Sequence, residues 1–223
     1  MITSRRAAKL TAKKHREAER LFLAEGKNLV EESPEPPRAA FTDPAALKRL
    51  SSLTTPTGPV AVFPFLDVSP EELLKTRDLI LLLHGVQDPG NVGAIIRSAH
   101  AFGAAVALSK GVADLYNPKT VRATMGSIFH APISRELDAL AFLELAKASR
   151  FETAAAMPQS GEPPAALPRG KLIVAVGSEG AGLPDEVISV CSLRVTIPAL
   201  AASLNAAVAA SILLYEAHTR VLP

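Results

Sequence analysis

In the second part of the chain, short apolar runs recur, and helical stretches separate them. Leu79–Leu83, Ala105–Leu108, Glu152–Ala156, Leu172–Val176 and Leu193–Ile197 read as strands. Val92–Phe102, Lys119–Met125, Asp138–Ser149, Pro184–Val190 and Leu204–Thr219 read as helices. This alternation predicts an α/β fold, a mostly parallel sheet with helices on both faces. Pro158–Arg169, with Gly161, Pro163, Pro164 and Pro168, interrupts it as a surface loop. The first part differs. It predicts a helix from Ser4, as N-cap, to Arg20, then a short strand from Leu21 that ends in a turn at Gly26. Ser33–Pro37 cannot continue a helix and reads as a loop, followed by a helix over Pro44–Leu50 and a strand over Val60–Phe63. A small α/β module over residues 1–70 and a larger domain over 71–223 follow, with the change of character near residues 67–78.

Composition narrows the class. With 223 residues, 48% of them apolar, the chain can bury a sizeable core. Its longest apolar run, around Leu79–Leu83, is far below the roughly 20 residues of a membrane helix. The first twenty residues lack the apolar centre of a secretory signal. Glu17, Glu19 and the segment Phe22–Gly26 argue against an organelle transit peptide, so a cytoplasmic location is expected. One cysteine, Cys191, and five scattered histidines offer no metal-ligand spacing, and a metal-free protein is expected. Seven of the 24 Lys and Arg but only two of the 22 Asp and Glu fall in residues 1–20, so positive charge is concentrated there. Arg5, Arg6, Lys13, Lys14 and Arg16 are candidates for neutralising nucleic-acid phosphates, although the same pattern also fits a solvated helix face.

Three strand-to-helix junctions carry the candidate chemistry, because open α/β sheets build ligand sites where strands end. In the first, Asp88-Pro89-Gly90-Asn91 bends the chain into a helix. Asn91 can cap that helix, and Gly93 admits another backbone. Arg97, two turns on, has the planar fork that grips a phosphate. In the second, Gly177, Gly180 and Gly182 follow an apolar strand and leave backbone groups free for a ligand. Glu179 has little packing role there; it can fix the loop or orient a basic group such as Arg97. In the third, Ser203 is the expected N-cap of a small-residue, buried helix that begins Leu204-Asn205. A buried Asn205 on that helix must find partners. No Walker lysine motif and no G-x-G-x-x-G occurs, which counts against a nucleotide-phosphate or dinucleotide site.

Together these segments resemble the SpoU (TrmH-like) family of RNA 2′-O-ribose methyltransferases. Asp88–Arg97 resembles the family's first motif, Gly177–Leu183 its second, and Ile197-Pro198 with Ser203–Ala210 its third; Asn117–Ser127 resembles the segment between. The resemblance implies an α/β sheet whose C-terminal segment is threaded into a deep trefoil knot. It also implies S-adenosylmethionine bound in the knot, held by the loops at Gly177 and Ile197 and by Leu204. Asn91, Arg97, Glu179, Ser203 and Asn205 then match the family's active-site residues, in a homodimer whose sites are completed near the subunit interface. Residues 15–30 resemble a shortened L30e-like RNA-binding domain, which points to ribosomal RNA rather than tRNA. One departure stands out: the third motif normally has Met and Gly after its Pro and about two more residues before Ser-Leu-Asn, where this chain has Ala199-Leu200-Ala201-Ala202. This predicts a reshaped cofactor pocket. It also leaves open a non-catalytic RNA-binding or ribosome-assembly protein that keeps the fold.

Overall fold

The structure, a computed structural model, describes residues 2–221. The first module holds α1 (Ser4–Ala8), α2 (Lys13–Glu19), β1 (Leu21–Glu25), α3 (Lys27–Glu31), β2 (Ala39–Phe41), α4 (Pro44–Leu50) and β3 (Val60–Pro64). It is followed by α5 (Pro70–Thr76), β4 (Leu79–Leu83), α6 (Pro89–Ala101), β5 (Ala105–Ser109), α7 (Pro118–Ala123), β6 (Ile133–Leu137), α8 (Ala139–Ala148) and β7 (Glu152–Met157). Last come β8 (Leu172–Val176), α9 (Asp185–Val190), β9 (Leu193–Thr196) and α10 (Ala206–Val221).

Six strands form one sheet in the order β6-β5-β4-β8-β7-β9, and every pairing is parallel. Alternate residues of β4 serve opposite faces, as the period of a strand requires. Leu79, Leu81 and Leu83 join the core that holds α6 and α10, while Ile80 and Leu82 join the core that holds α5, α8 and α9. All five β4 residues are buried, which is why the strand reads as an unbroken apolar run. The expected mostly parallel sheet covered on both faces is therefore what forms.

The first module is a three-stranded antiparallel sheet, β1-β3-β2, whose far face joins the larger core. Phe22 lies 4.9 Å from the Tyr116 ring, and Phe63 lies 4.8 Å edge-on from Phe129. Four elements went unseen in the sequence. β2 is only three residues long, and β6 and α3 are five residues each. α5 fills the span near residues 67–78 where the two regions were expected to part, and it buries Leu73 and Leu74 under the sheet.

The expected single helix Ser4–Arg20 is broken. Thr3, not Ser4, is the N-cap, a turn of 3-10 helix covers Lys9–Thr11, and Ala12 is extended. Arg16 explains the break: its Nη1 donates to the carbonyls of Leu10 and Thr11, both at 2.8 Å. Its Nη2 lies 2.5 Å from Asp114 in the larger domain. Carbonyls released where the first turn ends are thus taken up by a buried guanidinium.

Candidate active site

β4 and β8 are parallel neighbours with Leu83 opposite Val176, so their carboxyl ends deliver two of the polar junctions side by side. The His84 N–H donates to the Val176 carbonyl at 2.9 Å and ties them at the root. β9 runs parallel to β7 on the other side, and its exit brings the third junction to the same edge.

Two capping expectations need correction, and both corrections make the site. Asp88, not Asn91, caps α6: its Oδ1 accepts the Asn91 N–H at 2.9 Å. Asn91 sits in the first turn of the helix, and its side chain is not used in capping. Asn205, not Ser203, caps α10: its Oδ1 accepts from the N–H groups of Ala207 at 2.9 Å and Val208 at 3.2 Å. An amide whose oxygen is occupied by two backbone donors must present its nitrogen outward. Asn205 Nδ2 accordingly donates to Asn91 Oδ1 at 3.1 Å, and Asn91 Nδ2 donates to Glu179 Oε1. One hydrogen-bonded line thus joins all three junctions, across sequence separations of 88 and 114 residues.

The glycine loop closes tightly. A Cβ at Gly177 would run into the backbone of Gly182 and Leu183, and Gly182 adopts a left-handed φ of 68°. The Gly182 N–H donates to the Ser178 carbonyl at 3.0 Å, which locks the turn. Between this loop and the segment 197–204 lies a cavity of about 480 Å³. Gly177, Ile197 and Leu204, the three residues expected to hold a cofactor, all line it, as do Glu179 and Ser203. Its size falls within the roughly 300–1,000 Å³ usual for small-molecule sites. Ala199, Ala201 and Ala202 form part of its wall and leave it open, so the altered third motif does not fill the space. Apolar walls at Val195 and Leu213 beside the free backbone groups of the glycine loop suit a cofactor with an apolar-faced ring and polar edges. Met157, at the end of β7, and Asp185, in the first turn of α9, also line the cavity and were missed; their place at a strand end and a helix start was the available signal.

Arg97 stays outside the line of amides and outside the cavity wall. It is exposed on α6, and among the described residues it makes no ion pair and no side-chain hydrogen bond. Of the five candidate RNA contacts, Arg5 and Lys14 are exposed, Arg6 pairs with Glu19 at 2.8 Å, and Lys13 pairs with Glu136 at 3.1 Å, both side chains 53% exposed. Arg16 must be struck from the set: it is 3% exposed and engaged with Asp114, so it presents no charge to a ligand. Among the described residues no three His, Cys, Asp or Glu side chains gather as a metal-binding group, and no helix is long and apolar enough to cross a membrane.

Residues 78–215, from the residue before β4 to within α10, match the model of the SpoU rRNA Methylase family. The chain belongs to this family. The match leaves out the first module, but similarity to whole SpoU proteins extends through it. The chain is 34% identical over 234 residues to the 23S rRNA (guanosine(2553)-2′-O)-methyltransferase RlmP of Bacillus subtilis, covering 93% of this chain and 92% of that one. It is similar in structure to an RNA methyltransferase of the TrmH family from Porphyromonas gingivalis, with a TM-score of 0.83, 31% identity and 99% of each chain covered. It is also similar to the AdoMet-bound rRNA methyltransferase from Sinorhizobium meliloti, with a TM-score of 0.85 and 27% identity over 99% of this chain and 95% of that one.

Proposed function

We propose that this SpoU-family protein is an S-adenosylmethionine-dependent 2′-O-methyltransferase of ribosomal RNA. The observation that carries the reading is the line Asn205, Asn91, Glu179, which gathers the polar residues of three distant segments and meets a cofactor-sized cavity at Glu179. The RlmP relative, of near-equal length, is named for ribose methylation of 23S rRNA, and the Sinorhizobium meliloti enzyme was solved with AdoMet bound.

Bound S-adenosylmethionine supplies an electrophilic methyl group. The Gly177 loop, Ile197 and Leu204 would hold it, chiefly through backbone groups. Asn205 fixes the Asn91 amide, Asn91 in turn holds the Glu179 carboxylate in one orientation, and the reaction is spared that ordering. Glu179 accepts from Asn91 and brings its carboxyl group to the cavity wall. Arg97, exposed and without an ion-pair partner among the described residues, grips an RNA phosphate and places a ribose hydroxyl within reach. A guanidinium stays protonated, so it assists loss of the hydroxyl proton by its charge rather than as a base.

Residues 1–70 serve in this reading as a shortened L30e-like RNA-binding module, using Arg5, Lys13 and Lys14, and residues 71–223 as the methyltransferase domain of a cytoplasmic enzyme. The domain carries the family's deep trefoil knot. Supporting it, the crossover between β7 and β8 is pinned over β9, with the Glu162 N–H donating to Arg194 O at 2.9 Å and the Thr196 N–H to Glu162 O at 2.8 Å. The chain beyond β9 then returns inward, and α10 packs on α6, β4 and β8. A homodimer is supported by exposed apolar groups on α10, Val208 at 48% and Tyr215 at 54%. A second copy on that face would also bring another α6 close and complete the site around Arg97.

Calorimetric titration of S-adenosylmethionine, followed by assay of labelled methyl transfer to ribosomal RNA, tests the reading. One cofactor site per chain with transfer to ribose is expected. Absence of cofactor binding overturns it in favour of a non-catalytic RNA-binding protein.

A further inference from the structure

α7 lies between the first module and the start of α6, and it is attached to both. At its N-terminal end, the Asn117 side chain accepts the Lys119 N–H at 2.9 Å and starts the helix. Lys119 Nζ then reaches Asp88 Oδ2 at 3.3 Å. The other oxygen of this carboxylate accepts the Asn91 N–H at 2.9 Å. At mid-length no slack exists: a Cβ at Gly93 would lie 2.8 Å from the Thr120 carbonyl oxygen and overlap Ala123. At the far end, Arg122 Nη1 donates to Ser52 Oγ at 2.6 Å and stands 3.5 Å from Glu25 Oε2 in β1. Glu25 is 7% exposed and is further held by the Ser51 hydroxyl at 2.5 Å.

A continuous set of contacts therefore runs from β1 through α7 to the carboxylate that fixes the Asn91 backbone. No α7 residue lines the cavity. We propose that Lys119 is a positioning residue for methyl transfer: through Asp88 it sets the Asn91 backbone, and Arg122 anchors α7 so that this setting follows the placement of the first module. The proposal rests on the reading of the chain as an RNA methyltransferase. The Asn91 N–H first, and the Lys119 ammonium after it, hold the Asp88 carboxyl below the usual carboxylate range, consistent with a carboxylate that stays charged while it caps. Lys119 and Asp88 are both substantially exposed, so their attraction is screened by salt.

The test compares full-length wild type with Lys119→Met, Lys119→Arg and Arg122→Met under saturating RNA and methyl donor. Lys119→Met should lower kcat by about three- to fivefold, the size of an exposed ion pair, with KM for RNA unchanged. Lys119→Arg should restore kcat. Added salt should shrink the kcat difference between wild type and Lys119→Met toward zero, because it screens the Lys119–Asp88 pair that only wild type has. Arg122→Met should share the kcat effect. A raised KM with unchanged kcat would mean that Lys119 grips RNA phosphate instead and would overturn the proposal, as would no change at all. A second readout needs no activity: in nitrogen-15 NMR spectra of RNA-free protein, Lys119→Met should shift the Asn91 backbone and side-chain signals, and unshifted signals overturn the proposal. If wild type transfers no methyl to RNA yet those signals move, the functional reading falls and the positioning contact stands.

Discussion

Arg16 and Arg97 both lie on helices, and the fold uses them in opposite ways. Arg16 is buried against Asp114 and two carbonyls, tying the first module to the sheet domain. Arg97 stands in solvent with no partner among the described residues, one helix face away from the fixed line of Asn91, Glu179 and Asn205. Arg135 follows Arg16: it grips Glu17 with two hydrogen bonds of 2.8 and 3.0 Å, lies 3.3 Å from Asp67, and sits over the Phe65 ring. A guanidinium with buried partners holds domains together, whereas one without partners keeps its charge for a ligand. The comparison separates two kinds of basic residue that composition cannot tell apart.

It can be broken most forcefully at Arg97. Arg97→Ala should reduce methyl transfer by on the order of 100-fold or more, the scale of losing a charged group at a transition state, while leaving the melting temperature and cofactor affinity essentially unchanged. Single-turnover methylation alongside calorimetry reads both. Arg16→Met should do the reverse. It leaves Asp114 without its partner, and breaking a buried pair costs about 3 kcal/mol, visible as a lower denaturant midpoint.

The Asp67 site sharpens the same contrast through pH. Burial pushes the Asp67 carboxyl up, but the Tyr116 hydroxyl, donating at 2.6 Å, and the Arg135 charge outweigh it and hold it below its ordinary range. A depressed folded-state value means that the stabilisation is full above the unfolded carboxylate range, near pH 4, and is lost as pH falls through the lower folded value. Tyr116→Phe should therefore shift acid unfolding to higher pH and cost about 1–2 kcal/mol at neutral pH, as read by circular dichroism across a pH series. The smallest effect is expected at Lys13, whose partner Glu136 is as exposed as itself. Lys13→Met should leave stability within about 0.5 kcal/mol and, if Lys13 meets a phosphate, reduce the salt slope of RNA binding by about one.

Much of this was legible in the sequence because it is local. Apolar runs at Leu79–Leu83 and Leu172–Val176 followed by glycine and polar residues announce strand ends, and the three motifs that share the site are short contiguous words. α5 also carried its signal, Ser69 before Pro70 with Glu72 three residues on, and the Ser69 hydroxyl does accept the Glu72 N–H at 3.1 Å. β2 had none, since a three-residue strand after a proline-rich loop is defined by pairing with β3 alone. Arg16 was misjudged for a different reason: its partner lies 98 residues away, and no local pattern separates a buried cation from an exposed one. The caps were misassigned because the helix starts were misplaced: α6 begins at Pro89 rather than Val92, and α10 at Ala206 rather than Leu204. Asp88 and Asn205 won because each had its side-chain oxygen at the N–H groups of the first turn.

The central claim is that three polar junctions form one site where a methyl group passes to a ribose oxygen. Ribose methylation blocks alkaline cleavage at the modified nucleotide, so the direct measurement is alkaline hydrolysis of ribosomal RNA after incubation with protein and labelled methyl donor. The account predicts label in an alkali-stable dinucleotide with wild type and its loss with Arg97→Ala. Label recovered only in single nucleotides modified on the base, or undiminished stable dinucleotide with Arg97→Ala, would contradict it.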